Sequence, residues 1–253
     1  MKIFFALFFL GLIQGLTEFL PVSSSGHLVL FSKIFGVGES LFLSILLHCA
    51  TLISIIVVFR KEVWALACHP FSKESLSIVV ATIPTGIIAL VIMPLIKNSF
   101  EGAFLPVCFL ISAGLLFLCE TIFAKKEAKS LDMKTAFFMG VAQGFAVFPG
   151  ISRSGATISA GLMCGKDKKE VAKFSFLMSV PIIVLSLIME IVEVVRGEEV
   201  LQIEILPTIL AFLTAFLVGI FAIKVMLKLT ENTQLKWFSI YLCVLSVASF
   251  FFV

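Results

Sequence analysis

Long apolar stretches separated by short polar ones dominate the chain. Six of these stretches have the length of about 20 residues that a helix needs to cross the hydrocarbon core of a membrane. They cover residues 41–59, 76–96, 103–123, 174–195, 205–227 and 237–253. The pattern therefore predicts an all-α polytopic membrane protein with six transmembrane helices.

Two further apolar stretches, 3–35 and 135–165, are each interrupted by a segment rich in serine, glycine and proline. Their flanks are too short to span comfortably, because proline stops the first helix and a serine can cap the next one. Each stretch is therefore predicted to form a re-entrant helical hairpin, in which two half-helices meet at a polar loop inside the membrane. Lipid tolerates such a loop only where protein or a wet cavity surrounds it.

The two interruptions also mark an internal repeat. Residues 14–27 align without gaps on residues 143–156, and six of the fourteen positions are identical. Each hairpin is followed by three predicted spans, so a single membrane domain contains repeat 1 at about 1–124 and repeat 2 at about 130–253. An odd number of spans inverts the second copy, as in transporters whose site lies at the midplane between repeats.

Composition and charge support this interpretation and orient the chain. It is 60% hydrophobic and 14% charged, whereas a soluble domain has about 25% charged residues. Of the 19 Lys and Arg residues, thirteen fall on one side of the predicted spans, and four share the side of the N-terminus, namely Lys2, Lys33, Lys97 and Arg196. The positive-inside rule places the thirteen in the cytoplasm, so both termini are predicted to be extracytoplasmic.

The polar residues of the two interruptions are predicted to bind a multiply charged anion. The half-helices that start near Ser24 and Ser154 direct unpaired N–H groups and positive dipole ends at each other's loop. Arg153 adds a permanent charge whose planar fork suits phosphate oxygens. The other residues that we expect to bind the ligand are Gln14, Ser23, Ser25, Gly26, Ser152, Gly155 and Thr157. Phosphate or diphosphate fits such a site best.

Glu18 and His27 indicate chemistry beyond binding. A carboxylate inside the membrane is costly and marks a functional site by default, and imidazole titrates near neutral pH. Together with a hydroxyl at an anion site, they are the parts for proton transfer and nucleophilic attack. Four alternatives stay open: Glu18 packs between helices, His27 only supports other residues, Arg153 forms a structural ion pair with Glu18, or any single serine serves as a cap or bonds the backbone.

The two motifs resemble those of the bacterial undecaprenyl-diphosphate phosphatase family, also called the bacitracin-resistance family. The resemblance rests on residues 14–27, 149–157 and 174–181 and covers essentially the whole chain. It implies hydrolysis of the terminal phosphate of undecaprenyl diphosphate at the extracytoplasmic side of the bacterial cell membrane. This reaction recycles the lipid carrier of cell-wall synthesis and confers bacitracin resistance. The resemblance also implies a divalent cation, Mg²⁺ or Ca²⁺, with Glu18 as the candidate metal ligand.

For that reaction, Ser24 is the predicted nucleophile and Arg153 stabilises transition-state charge. His27 is the predicted general base or itself the phosphate acceptor, and Glu18 orients His27, activates water or holds the metal. A transporter or flippase of an anionic lipid or small anion is the alternative, because an inverted repeat suits both functions. The expected partners are a polyprenyl diphosphate lipid and membrane lipids, with a homodimer left open and no nucleic acid. His48 is predicted to form an interhelical hydrogen bond, and Glu120 and Glu190 have no neighbouring motif and are predicted to be structural.

Overall fold

The structure is a computed structural model that describes residues 2–37, 41–96, 104–122, 129–196, 205–232 and 234–252. Within these ranges the chain folds into helices, which confirms the predicted all-α class. In chain order they are α1 Lys2–Thr17, α2 Ser24–Phe35, α3 Leu41–Val58, α4 Arg60–Cys68, α5 Lys73–Ile96, α6 Leu105–Ile122, α7 Met133–Phe145, α8 Arg153–Met163, α9 Lys168–Val195, α10 Ile205–Asn232 and α11 Lys236–Ser249.

The long helices identify a multi-pass membrane protein. By length and composition α5, α9 and α10 can each cross a membrane alone, and α3 can do so together with α4, although the pair is bent by 84°. The helices α1, α6 and α11 are apolar but shorter. The six predicted spans coincide with α3, α5, α6, α9, α10 and α11, while residues 103, 123 and 253 of those spans lie outside the described ranges. The six predicted spans do not include helix α4.

Each polar interruption separates two short helices that pack against each other: α1 and α2 in the first case, α7 and α8 in the second. Ser23 and Ser152 begin the second helix of each pair. Their hydroxyl oxygens accept hydrogen bonds from backbone N–H groups three residues later, at 3.4 and 3.0 Å. A proline thus lies in each loop between the two helices and a serine cap starts the second helix, as the sequence predicted.

The first helix of each pair packs on a long helix from the other half of the chain. Helix α1 lies along α10, and α7 lies along α5. The backbones approach closely through glycine: a Cβ atom added at Gly11 would lie 2.9 Å from Ala211 Cα, and one at Gly144 would lie 2.7 Å from Ile88 Cβ. Small residues at helix interfaces are the usual means of tight packing in membranes. This packing fixes the ends of α1 and α7, where the polar loops begin.

The second helix pair is also fixed at its base. Asp132 caps α7 by accepting a hydrogen bond from Thr135 N at 2.8 Å, and it pairs with Lys166 Nζ at 2.6 Å just before α9. The hydrogen-bonded Lys166 ammonium holds the pKa of the Asp132 carboxyl well below its usual range. The backbones of Lys129 and Asp167 are hydrogen-bonded as well, which ties the start of α7 to the start of α9.

Candidate active site

The polar loops of the two helix pairs contact each other. Ser154 Oγ, at the start of α8, donates a hydrogen bond to Leu20 O in the first loop at 2.9 Å. The loops are so close that a Cβ atom at Gly26 would lie 3.0 Å from Gly150 Cα. Ser112 of α6 hydrogen-bonds the backbone of the second loop twice, at 2.9 and 3.2 Å. Residues that are about 130 positions apart in sequence therefore form one site.

Glu18 is the centre of this site. Its side chain is 1% exposed. Its Oε2 accepts hydrogen bonds from Ser24 Oγ at 2.5 Å and from Gln14 Nε2 at 3.0 Å. Its Oε1 forms an ion pair with Arg153 of the second loop. The structure thus brings together three of the four predicted catalytic side chains, and it contains the Glu18–Arg153 ion pair that the sequence left open as an alternative.

Two polar atoms beside Glu18 are buried without hydrogen-bond partners among the described residues, namely Arg153 Nη1 and Gln14 Oε1. A buried polar group without a partner costs about 1–3 kcal/mol. Arg153 Nη1 belongs to the first residue of α8, where the helix presents N–H groups that have no partner within the helix. A charged oxygen that bonds Arg153 Nη1 would satisfy this buried group.

His27 lies apart from the Glu18 cluster. Its Nδ1 donates to Ser23 O at 2.7 Å, and its Nε2 is hydrogen-bonded to Tyr241 Oη, also at 2.7 Å. No hydrogen bond joins His27 to Glu18 or Ser24 in the part of the chain that the structure describes. The two ring nitrogens are both engaged elsewhere.

Most of the other predicted binding residues support the loops. The hydroxyl of Thr157 is buried and lies 2.6 Å from Ser175 Oγ on α9. Ser25 Oγ lies 3.4 Å from Ser23 Oγ, and Ser152 Oγ is engaged in the cap of α8. Gly26 and Gly155 provide the space for the close contact between the loops. Ser154 and Arg153, in contrast, face the cavity described next.

A cavity of about 10 Å³ lies next to the Glu18–Arg153 ion pair. It is lined by Glu18, Phe19, Arg153, Ser154, Ser175, Phe176 and Ser179. This volume is close to the minimum that holds one water molecule, so a diphosphate group does not fit while the ion pair is closed. The site must widen when a ligand of that size binds.

The sequence analysis missed a polar row on α9 that leads to this cavity. Ser175, Ser179, Ser186 and Glu190 recur at helical spacing in an otherwise apolar helix, and this spacing was a usable signal. Ser186 donates to Glu190 Oε1 at 3.2 Å, while Glu190 Oε2 is buried and unpartnered in the described ranges. His48 of α3 is within electrostatic range of both Glu18 and Glu190. By contrast, Glu120 forms a structural ion pair with Lys168 at 2.5 Å.

The site residues do not fit a resident divalent cation. Mg²⁺ and Ca²⁺ require about six or more oxygen ligands, usually including carboxylates. Across the described residues, no group of three or more His, Cys, Asp or Glu side chains could hold a metal ion. Glu18 contributes one carboxylate, and Arg153 already neutralises it. A cation at this site would need most of its ligands from a bound substrate and water.

Comparisons with known proteins identify the family of the chain. The family model described as bacitracin resistance protein BacA matches residues 7–248. The chain is 42% identical over 244 residues to the undecaprenyl-diphosphatase of Carboxydothermus hydrogenoformans, covering 94% of this chain and 93% of the relative. The corresponding protein of Christiangramia forsetii is 41% identical over 256 residues, with 96% of each chain covered. That of Thermosipho africanus is 36% identical over 249 residues, with 96% of this chain and 97% of the relative covered. These matches confirm the resemblance seen in the two motifs, and the chain belongs to the bacitracin resistance protein BacA family.

Proposed function

We propose that the protein is an undecaprenyl-diphosphate phosphatase, which hydrolyses undecaprenyl diphosphate to undecaprenyl phosphate and inorganic phosphate. The observation that carries the proposal is the Ser24 hydroxyl, which donates to Glu18 at 2.5 Å while Arg153 of the other loop pairs with the same carboxylate. A hydroxyl, a carboxylate that can act as its base and a guanidinium that can bind phosphate thus lie side by side. The names of the relatives support the same substrate. The reaction would regenerate the lipid carrier for cell-wall synthesis and confer bacitracin resistance.

Binding begins with an exchange of partners at Arg153. The terminal phosphate takes the place of the Glu18 carboxylate on the guanidinium, which widens the cavity. Arg153 Nη1 and the N-termini of α2 and α8 hold the phosphate oxygens, because all three present N–H groups and positive charge to an anion. Glu18 keeps its hydrogen bond to Ser24 during this exchange.

Phosphoryl transfer then uses the Ser24–Glu18 pair. Ser24 Oγ attacks the terminal phosphorus, Glu18 Oε2 takes the hydroxyl proton, and the bond from phosphorus to the bridging oxygen breaks. Undecaprenyl phosphate leaves, and Glu18 returns the proton to its departing oxygen. Water next attacks the phosphoserine with Glu18 as base, the Ser24 Oγ–P bond breaks, and Glu18 passes the proton back to Ser24 Oγ. Arg153 and both helix N-termini stabilise the charge that develops in each transition state.

This assignment gives Glu18 the role of base that the sequence analysis offered to His27. Glu18 touches the Ser24 hydroxyl, whereas both ring nitrogens of His27 are bonded to other groups. A transporter or flippase is the weaker alternative, since a carrier has no use for a hydroxyl held against a carboxylate. We propose further that Mg²⁺ or Ca²⁺ arrives on the diphosphate oxygens as part of the substrate.

Purified protein in detergent should release inorganic phosphate from undecaprenyl diphosphate and leave undecaprenyl phosphate as the lipid product. A chelator should slow the release, and added Mg²⁺ or Ca²⁺ should restore it. Phosphate release would be followed by a colorimetric assay and the lipid by mass spectrometry. Protein that moves the lipid across liposome membranes without releasing phosphate would be a transporter. Release that is insensitive to the chelator would contradict the cation proposal alone.

We also propose six spans, two re-entrant hairpins and an inverted repeat. The packing between the halves supports the repeat. Helix α1 of the first half lies on α10 of the second half, and α7 of the second half lies on α5 of the first half. The glycines at these two interfaces, Gly11 and Gly15 in α1 and Gly140 and Gly144 in α7, are related by the same offset of 129 residues as the two polar loops.

With this topology both termini face the outside. Alkaline phosphatase fused to the C-terminus should be active and green fluorescent protein at the same place dark. Fusions after Lys73, on the side that carries thirteen basic residues, should give the opposite result and serve as the matched control. Fluorescence from the C-terminal fusion would show that the topology is the opposite one, with the site on the cytoplasmic side.

A further inference from the structure

Tyr241 of α11 lies outside both sequence motifs, yet its side chain contacts a residue of the site. Its hydroxyl is 2.7 Å from His27 Nε2, and the two rings are stacked with centroids 5.8 Å apart and planes inclined by 9°. Phe31 also stacks on the His27 ring, and the Phe109 ring meets it edge-on. The two hydrogen-bonded residues are 214 positions apart in sequence. The ring of His27 is therefore held in an aromatic enclosure that α11 completes.

The hydrogen bonds define the protonation of the imidazole. Nδ1 faces the carbonyl oxygen of Ser23, which can only accept, so Nδ1 carries the proton. His27 is 2% exposed, and a charged ring in this apolar enclosure would be costly. In the neutral ring Nε2 is an acceptor, and the Tyr241 hydroxyl is its donor. Tyr241 thus donates to the tautomer that binds Ser23 and stabilises it.

Ser23 is the residue that this tautomer holds. It has φ 68° and ψ 94°, and it is the single non-glycine residue with positive φ in the part of the chain that the structure describes. A residue with a Cβ atom adopts such a φ only when its surroundings impose it. Both Nδ1 and the backbone N–H of His27 donate to the Ser23 carbonyl, at 2.7 and 3.2 Å. The next residue is Ser24, whose hydroxyl contacts Glu18.

We infer that Tyr241 is a positioning residue of the active site: it fixes His27, and His27 holds Ser23 in the backbone conformation that directs the Ser24 hydroxyl at Glu18. The kinetic consequence rests on the proposed phosphatase function, whereas the Tyr241–His27 hydrogen bond does not. The hydrogen-bonded series Tyr241–His27–Ser23 orients the Ser24 hydroxyl and does not touch the substrate.

Replacing Tyr241 with Phe tests the kinetic consequence, because it removes the hydroxyl and keeps the stacked ring. We expect kcat to fall about fivefold to tenfold, the effect of one lost hydrogen bond. KM should change little, since Arg153 and the N-terminus of α8 are untouched. Ser246→Ala is the matched control, because it removes a buried hydrogen bond between the same helix α11 and Pro106 of α6. Wild-type kcat in Tyr241→Phe would overturn the proposal.

The tautomer can be measured without any activity. The chain has three histidines, His27, His48 and His69, so a nitrogen-15 spectrum of histidine-labelled protein in detergent is simple, and His27→Gln assigns the His27 signals. Wild type should show His27 with its proton on Nδ1, and Tyr241→Phe should shift the Nε2 signal while the Ser246→Ala spectrum stays unchanged. A proton on Nε2 in wild type would overturn the proposal even if the phosphatase assay succeeds. If the protein gives the expected spectra but has no phosphatase activity, the Tyr241–His27 hydrogen bond stands and only the proposed function is refuted.

Two variants of His27 separate positioning from chemistry. An asparagine amide can donate to Ser23 O as Nδ1 does, but it can neither accept a proton as a base nor form a phosphohistidine. His27→Asn should therefore keep a measurable part of the activity, about a tenth or more, whereas His27→Leu should have less than a hundredth. Equal loss of activity in the two variants would indicate that His27 acts as base or phosphate acceptor, and it would contradict the positioning role.

Discussion

Replacing Glu18 with Gln should abolish phosphate release and, at the same time, strengthen binding of the diphosphate lipid. Gln cannot take the proton from Ser24, and loss of a general base costs about 10²–10⁴ in rate. In the proposed mechanism the wild-type carboxylate also competes with the substrate, because it forms the ion pair with Arg153 that the terminal phosphate must replace. A neutral amide competes less, so the dissociation constant should fall. Phosphate release and binding of the labelled lipid would be measured on the same preparation.

Thermal unfolding separates this effect from a loss of folding. Without lipid, Glu18→Gln should unfold at a lower temperature than wild type, because Arg153 loses its counterion. The lipid should then raise the unfolding temperature more in the variant than in wild type. Glu120→Gln is the matched control: Glu120 is similarly buried and ion-paired, but its partner is Lys168 at the base of α9. It should lose stability without any change in rate or affinity.

A double variant tests whether Glu18 and Ser24 act as a pair. In the proposed mechanism the carboxylate and the hydroxyl serve one proton transfer, so Glu18→Gln with Ser24→Ala should be no slower than either single variant. If the rate loss in the double variant equals the product of the two single losses, the two residues act in separate steps. Weaker lipid binding in Glu18→Gln would show that the carboxylate holds the substrate, through a cation, rather than competing with it.

The position of the site could be predicted because its signals are local. Proline, glycine and serine at each interruption determine where one helix ends and the next begins, and these residues lie within eight positions of one another. The gapless alignment of residues 14–27 on residues 143–156 then indicated that the two loops belong to one site. Glu18, Ser24 and Arg153 were all identified in this way.

The partners of these residues could not be predicted, because they depend on the packing of helices that are distant in sequence. Nothing in the spacing of residues relates Tyr241 to His27, and the motif alone favoured His27 over Glu18 as the base. The bend between α3 and α4 and the approach of α9 to the cavity likewise depend on side-chain packing. The polar row on α9 is an intermediate case, since its periodicity is visible but gives no indication of which way it faces.

The proposed repeat would account for a division of the chemistry between the loops. Both loops begin a helix with a serine cap, so both offer N–H groups to an anion. The positions of Glu18 and His27 are occupied in the second copy by Val147 and Ala156, which cannot ionise. Conversely, Ser24 corresponds to Arg153. In the proposed mechanism the first loop therefore supplies the nucleophile and base, and the second supplies the charge that binds the phosphate.

This division makes Arg153 the residue whose geometry is most demanding. Arg153→Lys keeps the positive charge, but a lysine ammonium replaces a planar fork with a single point of contact. It can pair with Glu18 or with a phosphate oxygen, but it cannot reproduce Nη1 and Nη2 together. We expect kcat/KM to fall at least about tenfold, equivalent to about 1.4 kcal/mol or more of lost transition-state binding.

The control for this substitution is Arg196→Lys, at the exposed end of α9, which should leave kcat/KM unchanged. Steady-state kinetics with undecaprenyl diphosphate would be combined with the unfolding temperature in inorganic phosphate. Phosphate should stabilise wild type and Arg196→Lys but have less effect on Arg153→Lys, because the lysine cannot fill the position of the unpartnered Nη1. Full activity in Arg153→Lys would mean that Arg153 serves only as the counterion of Glu18, and that the helix N-termini alone bind the phosphate.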